Sequence, residues 1–90
     1  MVIDMKTNIE IVYCSSWDYS PRAISLVADI LDEFQSEVES IRVVPSTGGV
    51  FEVSVDDELI FSKKKLERHA EPGEVVDIFR NIIASNNWTI

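Results

Sequence analysis

Apolar residues recur with two different periods along the chain. At Ile9, Ile11 and Tyr13 they alternate with Glu10 and Val12, the period of a strand, and the β-branched content agrees. Beyond the next few residues the period changes. Tyr19, Ala23, Leu26, Val27, Ile30, Leu31 and Phe34 recur at spacings of three and four, which predicts a helix with one broad apolar stripe. Asp29, Asp32, Glu33 and Glu37 mostly fill its other face. Pro21 is compatible only with the first turn, where its missing N–H is not needed. The helix therefore starts between Ser16 and Ser20, and either serine is suited to the N-cap.

Ile41 to Val44 is a short apolar run and reads as a second strand, ended by Pro45. A strand, a helix of about 18 residues and another strand make a βαβ unit, with parallel strands and a right-handed crossover. Ser46-Thr47-Gly48-Gly49 is a turn cluster. Val50, Phe51, Val53 and Val55 form a third strand, and Leu59, Ile60 and Phe61 a fourth. Asp56-Asp57 between them suits a two-residue hairpin turn, because aspartate tolerates left-handed backbone. Glu71-Pro72-Gly73-Glu74 opens a second helix with acids at its positive end. Its stripe is Val75, Ile78, Phe79, Ile82 and Ile83, and Asn86-Asn87 stops it. Trp88 and Ile90 are left either to tuck back onto the fold or to meet another subunit.

The order is βαβββα. It predicts an α/β (α+β) fold in a single domain over residues 1–90, with a four-stranded mixed sheet and two helices on a thioredoxin-like core. A ferredoxin-like split βαβ arrangement is the main alternative. It needs a helix between the second and third strands, where this chain has only the loop from Pro45 to Gly49.

Composition narrows the functional classes. Ninety residues that are 46% hydrophobic describe a folded domain with a modest core. A net charge of −8 repels nucleic acid over most of the surface and favours a cationic or neutral partner. No apolar run approaches the roughly 20 residues of a membrane span. The opening residues lack a secretory pattern. One cysteine excludes an internal disulfide, and with one histidine it excludes a cysteine/histidine zinc site. A free thiol without a signal predicts a reducing, cytoplasmic setting.

Candidate chemistry centres on Cys14, at the junction of the first strand and the first helix. N–H groups of a helix start favour a thiolate there. The competing reading is a small apolar residue buried at a strand end. Trp17, three positions on, either covers the site or stands exposed as a contact residue. Four of the eight basic residues, Lys63, Lys64, Lys65 and Arg68, fall in one patch with His69. That patch reads as a solvated loop beside an edge strand, or as a docking site for an anion such as glutathione or for an acidic partner. His69 reads as a loop residue, because no catalytic partner can be assigned to it.

A family resemblance rests on residues spread along most of the chain. They are Ile11-Val12-Tyr13-Cys14, Tyr19 with Arg22-Ala23, Val44-Pro45-Ser46, and Gly48-Gly49-Val50-Phe51-Glu52-Val53. Glu58-Leu59-Ile60-Phe61-Ser62-Lys63-Lys64 and Arg68-His69-Ala70-Glu71-Pro72-Gly73-Glu74-Val75 continue it. In this order they resemble the Rdx family of selenoprotein W, T and H relatives. The resemblance implies a thioredoxin-like fold and a redox loop of Cys-x-x-Cys or Cys-x-x-selenocysteine. By position Cys14 matches the first cysteine, and Trp17 stands where the second thiol or selenol would be. Neither selenium nor a two-thiol mechanism therefore transfers. The resemblance also makes Pro45 a candidate for the cis-proline that faces the redox loop and shapes a peptide site.

The expected function is one-thiol exchange with glutathione or protein thiols through Cys14, with no cofactor beyond glutathione as co-substrate. The alternative is a non-catalytic binding module that uses Ser15, Ser16 and Trp17 of the loop, Pro45, or Lys63, Lys64 and Arg68. A purely structural subunit with Trp88 and Ile90 at an interface is a third reading. Neither nucleic acid nor membrane is an expected partner.

Overall fold

The computed structural model describes residues 6–86. Its strands are β1 (Thr7–Cys14), β2 (Val38–Ser46), β3 (Phe51–Val55) and β4 (Glu58–Ser62). Its α-helices are α1 (Ser20–Phe34), α2 (Lys63–Leu66) and α3 (Glu74–Asn86), with a 3₁₀ turn over Gln35–Glu37. The strands form one mixed sheet in the order β2-β1-β3-β4. β1 pairs parallel to β2 and antiparallel to β3, and β3 pairs antiparallel to β4. The expected βαβ and ββ units are both present. Trp88 and Ile90 lie outside the described residues.

Alternation along β1 and β3 sets the core. Ile9, Ile11, Phe51, Val53 and Val55 are all buried, and they join one apolar cluster with residues of both long helices. Ala23, Leu26, Ile30 and Phe34 supply the α1 side, and Val75, Val76, Phe79 and Ile83 the α3 side. Phe34 and Phe79 meet edge to face with ring centres 5.1 Å apart. Arg80 donates to both carboxylate oxygens of Glu33 at 2.7 Å, clamping α3 to the end of α1. The residues between, such as Glu10, Glu52 and Ser54, face the other side of the sheet, which mixes these polar groups with Val12, Val44 and Leu59.

The hairpin turn is the one expected. Asp56 and Asp57 take φ of 49° and 70°, the left-handed pair of a two-residue turn. Asp56 also accepts the Asn8 N–H through its carboxylate at 2.9 Å and donates its own N–H to the Asn8 carbonyl at 2.8 Å. The turn is thereby tied to the start of β1.

Four expectations are corrected. Neither Ser16 nor Ser20 caps α1: Tyr19 holds the N-cap position, without a side-chain hydrogen bond, and its carbonyl accepts from Arg22 and Ala23. Ser20 is already in the helix, and its hydroxyl turns to the Asp18 carboxylate. Pro45 does not end β2, which runs from Val38 to Ser46. It pairs with Tyr13 on an edge strand, where a missing N–H costs no ladder bond. The peptide before Pro45 is trans, since the described residues contain no cis bond. The lysine run is not a plain loop either. The Ser62 hydroxyl accepts the Lys65 N–H at 3.1 Å, and the Glu67 N–H closes on the Lys63 carbonyl at 2.7 Å, making one capped helical turn. Two helices thus become three.

Candidate functional site

The site forms where the parallel pair β1–β2 ends. Cys14 is the last residue of β1, opposite Ser46 of β2. Its N–H donates to the Val50 carbonyl at 2.8 Å, so the glycine loop 47–50 is held beside it. The Ser15 N–H donates to the Ser46 carbonyl at 3.0 Å, and the Ser15 hydroxyl reaches the same oxygen at 3.3 Å. The chain then turns tightly. Asp18 donates to the Ser15 carbonyl and takes a left-handed φ of 59°, and the Tyr19 N–H returns to the Cys14 carbonyl at 3.1 Å. This short loop fixes the sulfur directly ahead of α1.

Cys14 has no exposed surface. Burial pushes the thiol up, the largest single influence. The Ser16 hydroxyl, 3.4 Å from the sulfur, and the backbone N–H groups of Gly49, Trp17 and Ser16 together outweigh it. The net result is a thiol held below its ordinary value. These donors belong to two separate loops, and both are set by the register of β1 with its neighbours.

Trp17 stands beside the sulfur site and is 60% exposed. Its ring nevertheless rests on a backbone surface, that of Gly49. The edge of Trp17 meets the Tyr19 ring at 6.2 Å, and Tyr19 meets His69 at 4.8 Å. The Lys63 Nζ lies 5.9 Å from the Trp17 ring centre and 5.7 Å from that of Tyr19, within cation–π range of both. An open groove of about 430 Å³ runs past these groups, lined by Trp17, Gly48, Gly49, Lys63, Lys64 and Glu67, among others.

The structure divides the residues singled out above. Ser15, Ser16 and Trp17 surround Cys14, and Lys63 and Lys64 stand beside Trp17. Arg68 is not brought to them. It makes a two-point contact with Glu74 at 2.7 and 2.8 Å, at the mouth of a separate cleft of about 750 Å³ between α1 and the start of α3. That larger cleft has neither Cys14 nor Trp17 in its lining. Pro45 is exposed, and strand alternation turns its ring to the face opposite Cys14. His69 packs on Tyr19, and burial, then Arg22 and Lys63, push its pKa down. Among the described residues no group of acids, histidine and cysteine is arranged to hold a metal, and no helix is long and apolar enough to cross a membrane.

Gly49 and Tyr19 were missed as site residues. Gly48-Gly49 carried a signal as a doublet in a turn. Its meaning required the β1–β2 register, which brings the loop after Ser46 alongside Cys14.

Fold and site define a class: a small thioredoxin-like α+β domain with one buried thiol at its β1–α1 turn. The model of the Rdx family matches residues 8–81, and the chain belongs to that family. It is similar to selenoprotein W of Danio rerio, at 39% identity over 61 residues covering 67% of this chain and 71% of the relative. Selenoprotein W of Ovis aries is 34% identical over 61 residues, 67% of this chain and 70% of that protein. The crystal structure of a selenoprotein W-related protein from Vibrio cholerae superposes with a TM-score of 0.80 at 29% identity, covering 87% of this chain and 98% of its own. A Bordetella parapertussis protein shares the fold, with a TM-score of 0.79 at 22% identity over 84% and 96% of the two chains.

Proposed function

We propose that this protein is a one-thiol redox protein whose Cys14 exchanges with glutathione-linked protein thiols in a reducing, cytoplasmic setting. The observation that carries the reading is the cradle of donors at the sulfur: the Ser16 hydroxyl with the N–H groups of Ser16, Trp17 and Gly49. Such donors stabilise a thiolate, which is the attacking species in disulfide exchange. Trp17 in place of a second thiol means that resolution comes from outside.

The chemistry then runs in two displacements. The Cys14 thiolate attacks the glutathione sulfur of a protein–glutathione disulfide. That S–S bond breaks, the protein thiolate leaves and takes a proton from water, and glutathione stays on Cys14. A free glutathione thiolate attacks the adduct, releasing oxidised glutathione and returning the Cys14 thiolate. The target is reduced, and the electrons come from glutathione. Because Cys14 is fully covered, the segments around it must open before either attack.

That burial favours a second reading, in which the loop binds a partner without turnover. Alkylation of Cys14 across a pH series, with mass spectrometry after incubation with oxidised glutathione, separates the two. A depressed thiol pKa with a glutathione adduct supports exchange and removes the binding-only reading. An ordinary pKa without an adduct removes the redox reading.

A further inference from the structure

Three cations of this acidic protein, Lys63, Lys64 and Lys65, stand together in α2, and the first two line the groove beside Trp17. Arg42, Arg68 and Arg80 each pair with a carboxylate: Glu10, Glu74, and Glu33 with Asp77. Among the described residues the lysines of α2 pair with none, although the chain holds 16 acidic residues. Lys63 lies instead over the rings of Trp17 and Tyr19. Lys63 and Lys64 line the groove against one acid, Glu67.

The opposite side of the groove is backbone. Gly48 presents no side chain there and has open space where one would be, so another main chain can approach it closely. Val50, also in the groove lining, accepts the Cys14 N–H at 2.8 Å, so the groove and the thiol share the 48–50 loop. Trp17 adds an exposed aromatic face of the kind that anchors peptides. The groove thus combines an exposed aromatic face, the bare backbone of Gly48 and two cations without carboxylate partners.

We propose that this groove docks an acidic polypeptide segment of the protein substrate, flanking the cysteine whose disulfide Cys14 would attack. The inference rests on the redox reading for its placement in a reaction, but the docking itself is separable from it. The net charge of −8 does not oppose it at contact range. Charges beyond a Debye length of about 8 Å are largely screened at physiological salt, whereas two lysines within the groove are not. The overall charge instead makes the basic groove the favoured direction of approach.

The test uses the full chain and three cysteine-free peptides that differ only in acidic, neutral or basic flanks. Binding is followed by the NMR signal of the Trp17 indole. The acidic peptide is expected to bind about tenfold tighter than the neutral one and to weaken as salt rises. Lys63→Glu with Lys64→Glu should transfer that preference to the basic peptide. Lys63→Ala with Lys64→Ala should abolish the preference if the reversal impairs folding. Equal binding of all three peptides overturns the proposal. So does an unaltered preference in the folded variants, or glutathione binding as tightly as the acidic peptide. In parallel, exchange of Cys14 with a neutral small disulfide reads the redox reaction alone. Silence there with intact acidic binding removes the redox function and leaves the docking surface. Exchange without any charge preference does the reverse.

Discussion

The indole of Trp17 rests on the one backbone position that leaves room for it: a Cβ on Gly49 would lie 2.5 Å from Trp17 Cζ3 and 2.8 Å from Cε3. Gly49 also takes a φ of +72°, so two separate constraints select glycine there. Gly48 has φ +79° but open space around a built Cβ. The neighbouring glycines therefore isolate the two effects.

Gly48→Ala should cost about 1–2 kcal/mol, the strain of a left-handed alanine alone. Gly49→Ala carries that strain and must also displace the indole. Because Trp17 is exposed, the ring can swing away, so the added cost in stability should be small. The consequence should appear at the site, as a shifted Trp17 NMR signal and Cys14 alkylation accelerated several-fold relative to Gly48→Ala. Denaturation curves with alkylation rates check both parts, and equal alkylation in the two variants would contradict the contact.

Ser16→Ala should raise the Cys14 pKa, because it removes the one side-chain donor at the sulfur. Alkylation at neutral pH should slow accordingly, with the plateau at high pH unchanged. The sign extends to stability. A thiol lowered in the folded state contributes stability that is present above its unfolded pKa and is lost as pH falls through the folded one. Wild type should therefore gain on Cys14→Ser between pH 7 and 10, and Ser16→Ala should shrink that gain. Paired denaturation series at several pH values measure it.

What was legible in the sequence followed from one-sided burial. β1, β3, α1 and α3 each bury one face, so periods of two and of three to four residues revealed them. Asp56-Asp57 was legible because its geometry is local. The misread features depend on partners far along the chain. Pro45 belongs to a strand because β1 continues beside it, and Arg68 is spent on Glu74 because α3 begins there. Lys63–Leu66 is helical through its Ser62 cap, which a charge run obscures. The burial of Cys14 and the exposure of Trp17 were not readable. Cys14 is covered by its own turn and by the 47–50 loop, while Trp17 rests on Gly49 and leaves its other surface open.

Phe79→Ala tests the helical layer. Phe79 is buried and meets Phe34 edge to face, so truncation removes both apolar burial and an aromatic contact. A buried Phe→Ala change costs about 3–5 kcal/mol. A domain of this size has on the order of 5–13 kcal/mol in total. The variant should therefore melt far below wild type, and calorimetry would show it. Ile24→Ala on the exposed side of α1 should stay within about 0.5 kcal/mol of wild type, which controls for helix content.

Glu74 joins the start of α3 to the loop before it. Its carboxylate accepts two Arg68 donors and the Glu71 N–H at 2.9 Å, tying the first residue of α3 to the turn before it. The Arg68 hydrogen bonds, then the Glu71 N–H, outweigh partial burial and take its pKa from the usual 4.5 down to about 2. Its contribution is therefore complete above the unfolded value. It fades as pH falls from about 4.5 toward 2. Glu74→Gln should be less stable than wild type at pH 7, by a margin that narrows through this window and is nearly gone at its lower end. Arg68→Gln should reproduce most of the pH dependence of that loss, because it removes the largest cause of the shift. Chemical denaturation of the three proteins at pH 7, 4 and 2.5 decides it. A margin independent of pH would mean that Glu74 acts through helix propensity rather than through its charge.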